Sequence, residues 1–133
     1  MLFRSQMQKV YEAVVAGVVS ADEGEIDLPL AHDPDNRPRQ KIDHERGKPA
    51  LTRFQALDRE GDRSRLRLTP VTGRSHQLRL HLAAVGHPIL GCDLYADPRA
   101  FAMAERLLLH ASELRFSHPA TGEPLTFTGK LPF

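Results

Sequence analysis

Residues 72–79 concentrate side chains that can hold a phosphate group. They are Thr72, Gly73, Arg74, Ser75, His76, Gln77 and Arg79. The spacing of apolar residues predicts that a helix begins here, and the first turn of a helix presents free N–H groups and a partial positive charge. Two arginines beside such a turn favour a phosphate site. The alternative is an ordinary capped helix with solvated charges.

We predict that this helix covers residues 75–85, with Ser75 as its N-cap and Gly86 as its stop. Helical spacing predicts a buried stripe made of Leu78, Leu82 and Val85. His76 and Arg79 lie one turn apart on a common side, away from that stripe. The helix is therefore expected to bury one side and to present the polar cluster on another.

The other elements are mostly strands. Strands are predicted at residues 9–19, 50–57, 64–69, 106–117 and 124–128, and a second, short helix at 98–105. Turns and loops are predicted at 22–25, 31–41, 58–63 and 118–122. This pattern indicates an α+β fold in which an antiparallel sheet dominates.

Positive charge is concentrated in the middle of the chain. The net charge is +1, but residues 37–79 carry twelve basic and five acidic side chains, and ten of the twelve are arginine. In one predicted strand Arg65 and Arg67 alternate with Leu66 and Leu68, so that one face would be buried and the other cationic. Arginine suits phosphates and stacks on bases. A solvated strand face is the alternative interpretation.

The sequence lacks the residue patterns that are typical of a metal site or of a catalytic cysteine. A metalloprotease helix has two histidines four residues apart with a glutamate between them. His76 and His81 are five apart, about 140° around a helix. His110 and His118 have no acidic or cysteine partner at ligand spacing. We therefore expect no metal site, and we expect Cys92 to be a small buried core residue rather than a nucleophile.

Composition also bears on location. A single cysteine excludes an internal disulfide and fits a reducing compartment such as the cytoplasm. No apolar run approaches the length needed to cross a membrane. We expect a cytoplasmic protein without a membrane partner.

The segment around the polar cluster closely resembles a motif of the RluA family of pseudouridine synthases. That motif runs P-x-T-G-R-[ST]-H-Q-[IL]-R-x-H, followed by G-H-P-I-x-G. The chain matches it from Pro70 to His81 and again from Gly86 to Gly91. Residues 9–13 (KVYEA), 107–111 (LLLHA) and 116–119 (FSHP) are similar to further segments of the family. The resemblance covers roughly residues 8–130.

The resemblance implies the carboxy-terminal half of the pseudouridine synthase fold, with the basic strands and the 73–79 turn lining a cleft. It implies isomerisation of uridine to pseudouridine, without a cofactor, in ribosomal RNA and/or tRNA. Tyr11 matches the tyrosine that stacks on the flipped base, and Arg79 matches the basic partner of the catalytic aspartate. The RNA-binding residues implied are Arg37, Arg39, Lys41, Lys48, Arg74, His76 and Gln77.

One departure from the family concerns its nucleophile. The aspartate of the family lies in an H-R-L-D motif before the tyrosine strand, whereas only ten residues precede Tyr11 here and none is aspartate. We expect residues 8–133 to be the carboxy-terminal part of the catalytic domain, and residues 1–7 to be a leader or a truncation scar. Activity would then need a separate amino-terminal half carrying the aspartate, and one edge of the sheet would be exposed.

Two alternatives remain at this point. A free-standing module that binds RNA without catalysis would melt cooperatively and bind RNA in a salt-sensitive way. A generic α+β domain without an RNA role would require the long motif match to be accidental.

Overall fold

The computed structural model describes residues 8–117, 124–128 and 133. A six-stranded sheet is formed by β1 (Gln8–Ala16), β2 (Glu23–Asp27), β5 (Leu51–Glu60), β6 (Arg63–Pro70), β7 (Leu109–Ser117) and β8 (Pro124–Thr128). The strand order is β2-β5-β6-β1-β7-β8, and all neighbouring strands pair antiparallel. A separate hairpin pairs β3 (Leu30–His32) with β4 (Gln40–Ile42). The helices are α1 (Gln77–Ala84) and α2 (Pro98–Ala102). The predicted α+β class with a mainly antiparallel sheet is confirmed.

Strand β1 lies within the sheet and contributes to a core on each face. Ala13 and Val15 pack in one cluster with Leu78 and Leu82 of α1. Val14, whose side chain points to the opposite face, packs with Leu90 and with Ala100 of α2. The two helices therefore cover opposite faces of the sheet.

The β5–β6 hairpin was predicted correctly, but its loop is shorter than the predicted 58–63. Glu60 pairs with Arg63, so that only Gly61 and Asp62 form the turn, and Gly61 has φ 62°. A two-residue turn with a glycine at positive φ matches the twist of the flanking strands. The charged residues that were predicted to form the loop instead extend β5 and β6 beyond the core.

The prediction of a turn at 22–25 was wrong. Glu23–Asp27 forms β2, which pairs with β5 and places Gly24 opposite Phe54. A Cβ on Gly24 would come within 2.8 Å of the Phe54 ring. Gly24 therefore leaves space for the Phe54 ring on the neighbouring strand. A glycine inside a strand often marks such a close approach.

Other element boundaries also differ from the predictions. The predicted loop 31–41 contains β3, a short 3₁₀ turn and β4. Val85 is 46% exposed, so the buried stripe of α1 ends at Leu82. α2 ends at Ala102 and β7 begins at Leu109, both shorter than predicted. The predicted turn at 118–122, which includes His118, lies outside the described residues. Among the described helices, none has both the length and the apolar character of a membrane span.

Candidate functional site

A cleft of about 540 Å³ opens where the loop before α1 meets the middle of the sheet. Strands β1 and β7 supply Lys9, Tyr11 and Leu109, and the loop and the first turn of α1 supply most of the remaining wall. Three cationic side chains, Lys9, Arg74 and Arg79, line it, while no carboxylate is found among its described lining residues. The cleft is therefore suited to an anionic ligand with an aromatic part.

Gln77 holds the loop in place. This residue is only 3% exposed. Its Oε1 accepts hydrogen bonds from the Thr72 hydroxyl (2.6 Å) and the Arg74 backbone N–H (3.1 Å). Its Nε2 donates to the backbone carbonyl of Leu51 and to the hydroxyl oxygen of Thr52, both at 2.9 Å. The amide thus uses its full bonding capacity within the chain.

The same chain of hydrogen bonds continues into the core. His81 is 0% exposed, and its Nε2 donates to the Leu28 carbonyl at 2.8 Å. Because that nitrogen carries the proton, Nδ1 accepts from the Thr52 hydroxyl at 2.9 Å. Burial lowers the pKa of His81, so the neutral ring that this arrangement needs is favoured. We call Thr52, Thr72, Gln77 and His81 the buried network.

The start of α1 differs from the prediction. His76, rather than Ser75, occupies the N-cap position before α1, and its side chain makes no capping hydrogen bond. His76 has φ 56° and ψ 16°, the left-handed region that non-glycine residues seldom adopt. This conformation turns the chain from the cleft loop into the helix. The prediction of Ser75 as N-cap was therefore wrong.

The His76 ring lies against Tyr95. The Tyr95 hydroxyl is 2.7 Å from His76 Nδ1, and the two rings meet edge to face with centroids 5.6 Å apart. Burial and, after it, the nearby charge of Arg79 lower the pKa of His76. Burial raises the pKa of Tyr95, so its hydroxyl keeps its proton. Both groups are therefore neutral hydrogen-bonding partners at neutral pH.

Tyr11 and Arg79, the two residues matched to catalytic roles, both line the cleft. Tyr11 is half-buried on β1, between Leu68 of β6 and Ala111 of β7. Within the described residues, the ion pairs found do not include Arg79. Its guanidinium is thus available to a carboxylate or phosphate entering the cleft.

The expectation that basic strands line the cleft was wrong. Leu66 and Leu68 occupy the α1 face of the sheet, so the alternating Arg65 points to the other face. There it lies 3.3 Å from Glu12 and 5.3 Å from the centre of the Phe133 ring. The cationic wall of the cleft comes from the loop, α1 and the start of β1 instead.

The remaining predicted RNA-binding residues lie on the β3–β4 hairpin or at its base. Arg37, Arg39, Lys41 and Lys48 are all exposed. The Arg39 guanidinium is 5.6 Å from the centre of the Tyr95 ring. Lys48 pairs through its backbone with Leu30, at the base of the β3–β4 hairpin. Of these side chains, Arg39 is connected to the cleft, through the Tyr95 ring and the contact of Tyr95 with His76.

Sequence reasoning missed Tyr95 as a site residue. It lies in an irregular segment between the helices, where no periodicity marks it. The Cys92 side chain is buried in the core, as predicted. Across residues 8–117 and the other described positions, no cluster of histidine, cysteine and carboxylate groups has the geometry to hold a metal ion.

The chain is similar in sequence to RNA pseudouridine synthases. A family model described as RNA pseudouridylate synthase matches residues 1–84. The chain is 54% identical to the dual-specificity RNA pseudouridine synthase RluA of Pasteurella multocida, and 53% and 51% identical to those of Haemophilus influenzae and Escherichia coli K12. Each match covers 95% of this chain, which spans 58% of the length of these curated relatives.

Two solved human structures are similar in fold. RNA pseudouridylate synthase domain containing 1 superimposes with a TM-score of 0.84 at 28% identity, over 98% of this chain and 57% of that one. Domain containing 4 gives a TM-score of 0.76 at 26% identity, over 97% and 59%.

Proposed function

Since the chain belongs to the RNA pseudouridylate synthase family, and within it to the RluA family, we propose that its cleft is the uridine-binding part of a pseudouridine synthase site. The substrate class is RNA, as in the names of the relatives, and ribosomal RNA and/or tRNA within it, as the family resemblance implies. Residues 8–133 would form the carboxy-terminal part of the catalytic domain. A cytoplasmic location is part of the same proposal, because ribosomal RNA and tRNA are found there.

One observation carries the proposal. Tyr11 and an arginine without an ion-pair partner among the described residues, Arg79, line one cleft whose other charged lining residues are cationic. An extruded base needs a flat surface to replace its lost stacking, and Tyr11 supplies one. Arg79 would keep a nucleophilic carboxylate ionised and oriented.

The reaction explains why these groups are needed together. The glycosidic C–N bond breaks, the uracil turns, and a C–C bond forms to the same ribose carbon. A proton leaves the ring carbon and the freed ring nitrogen gains one, so the product is an isomer of the substrate. The nucleophilic aspartate would come from an amino-terminal half of the catalytic domain, because the described lining residues of the cleft contain no carboxylate.

The RNA-binding residues divide into two groups in this proposal. Lys9, Arg74 and His76 would contact the nucleotide in the cleft, while Arg37, Arg39, Lys41 and Lys48 would bind the flanking backbone. Gln77, expected from the resemblance to bind RNA, would act as a positioning residue because its amide is saturated by Leu51, Thr52, Thr72 and Arg74.

The test is a pseudouridine assay on a uridine-containing anticodon stem-loop. The chain is mixed with a separately made amino-terminal half that carries H-R-L-D, and each half is also tested alone. We expect product only from the mixture, and we expect Tyr11→Phe and Arg79→Ala to abolish it. Arg53→Ala is the control, since Arg53 is exposed and paired with Glu25 outside the cleft.

Activity of this chain alone would contradict the assignment of the nucleophile to a separate half. No activity from the mixture, with salt-dependent RNA binding retained, would favour a non-catalytic RNA-binding module.

A further inference from the structure

Tyr95 joins the β3–β4 hairpin to the cleft. Its hydroxyl oxygen accepts a hydrogen bond from the Gln40 backbone N–H at 2.9 Å, across 55 residues of sequence. The same hydroxyl lies 2.7 Å from His76 Nδ1. Arg39, the neighbour of Gln40, places its guanidinium over the Tyr95 ring at 5.6 Å. One side chain thus contacts a cleft histidine and two consecutive residues of the hairpin.

These contacts favour one tautomer of His76. The Tyr95 hydroxyl already accepts from Gln40, and it has one hydrogen to donate. Donation to His76 Nδ1 satisfies both groups and leaves the proton of the neutral ring on Nε2. Within the described residues His76 Nε2 has no hydrogen-bond partner, and the His76 side chain lines the cleft. The free donor is therefore available to a ligand.

We propose that Tyr95 is a positioning residue that holds His76 as an Nε2–H donor toward an oxygen of the RNA in the cleft. The oxygen belongs to the uracil or to a phosphate, both of which offer the same acceptor chemistry. This inference rests on the proposed function, since it takes the cleft to be the RNA site. It places the ring hydrogen of His76 on Nε2. Tyr95 then acts on the RNA indirectly, through its hydrogen bond to His76.

A double-mutant cycle on RNA affinity tests the coupling. Tyr95→Phe removes the hydroxyl and keeps the ring beneath Arg39. We expect Tyr95→Phe and His76→Ala each to weaken stem-loop binding about three- to tenfold, the range for one hydrogen bond. If Tyr95 acts through His76, the double variant binds no more weakly than His76→Ala alone. Fully multiplied losses would overturn the proposal.

A second measurement needs neither RNA nor catalysis. In ¹⁵N side-chain NMR of the unmodified chain near neutral pH, His76 should show the Nε2–H tautomer, and Tyr95→Phe should give a mixture of tautomers. A Nδ1–H tautomer in the unmodified chain would overturn the proposal, whether or not the variant folds. Because this result is independent of activity, it separates failure of this inference from failure of the synthase assignment.

A stem-loop with an abasic site at the target position distinguishes the two sources of the oxygen. Loss of the His76→Ala effect on the abasic RNA assigns the acceptor to uracil, and persistence of the effect assigns it to phosphate. An absent effect on both RNAs would overturn the proposal.

Discussion

At the scale of single residues, the left-handed conformation of His76 puts two requirements in conflict. The backbone there favours glycine, whereas the proposed role of His76 needs the imidazole ring and its contact with Tyr95. A side chain in this conformation costs about 1–2 kcal/mol. Such strain at a ligand site is consistent with a functional use of the side chain.

Replacing His76 separates these two requirements. Both His76→Ala and His76→Gly remove the ring, but only glycine relieves the backbone. We expect the free energy of unfolding of His76→Gly to exceed that of His76→Ala by about 1 kcal/mol. Chemical denaturation measures this difference. Ala84→Gly, within α1, is the control and should be destabilising by about 0.5–1 kcal/mol. Equal stability of the two His76 variants would contradict the strained conformation.

Gln77 is a residue whose loss should be felt mainly in stability. Gln77→Ala leaves several buried partners of its amide without hydrogen bonds, and we expect a loss of about 2–3 kcal/mol. Urea unfolding measures it. The control is Gln55→Ala on the exposed side of β5, expected to change stability by less than about 0.5 kcal/mol. A Gln77 variant as stable as the Gln55 variant would show that the buried network contributes little.

The residues of the cleft could be predicted in part. The density of polar types at 72–79 located the loop, and the family resemblance located Tyr11 and Arg79, all of which line the cleft. The burial of Gln77 could not be predicted, because its partners Leu51 and Thr52 lie on a distant strand. The role of Tyr95 depends on contacts across 19 and 55 residues.

At the scale of elements, the buried network joins α1 to β5 and to the segment that follows β2. His81 lies at its inner end, where the ring must be neutral to accept from Thr52. A protonated ring would have no lone pair for that hydrogen bond and would place a charge in the core.

Stability should therefore fall on acidification. Burial holds the pKa of His81 below its ordinary value of 6.5, and the pKa of His76 is also lowered. The unfolded chain then binds more protons as the pH drops below 6.5, so stability present above 6.5 is lost until the folded pKa is passed. The slope can reach about 1.4 kcal/mol per pH unit for one proton.

Unfolding in urea at a series of pH values from 7.5 to 5 measures this slope. His81→Gln should reduce it, while His44→Gln, at an exposed turn, shows the effect of removing any histidine. An unchanged slope in His81→Gln would contradict the assignment to the buried ring.

Elements were predicted where local pattern and tertiary pairing agree. Alternation in β6 and helical spacing in α1 both reflect burial against the same core, so both were found. β2 was missed because Asp22, Glu23 and Gly24 form a local turn signal, which the pairing of Gly24 with Phe54 overrides. The hairpin at 31–41 was missed because its two strands have only three residues each.

At the scale of the whole molecule, the surface around the cleft and the β3–β4 hairpin carries basic side chains from both, on a chain of net charge +1. Binding of RNA to such a surface releases counterions, so affinity should fall steeply with salt. Arg74 is exposed at the rim, where its Nε donates to the Pro49 carbonyl at 3.0 Å.

Arg74→Gln should reduce the slope of log affinity against log salt by about 0.7–0.9, the value for one phosphate contact. Fluorescence anisotropy of a labelled stem-loop at four salt concentrations measures the slope. Arg53→Gln, which removes a charge of the same type from an exposed ion pair with Glu25, should leave it unchanged. Equal slopes for the Arg74 variant and the unmodified chain would exclude a phosphate contact at that position.

The separation of the β3–β4 hairpin from the large sheet bears on how such enzymes diverge. The hairpin is joined to the rest of the described chain at its base, through the Leu30–Lys48 pairing, and near its end by the Tyr95 hydroxyl. Its exposed residues are not part of the two cores, so substitutions at these positions should change the free energy of unfolding little. Under the proposed function, substrate preference can therefore evolve in this short segment while the chemistry of the cleft is retained.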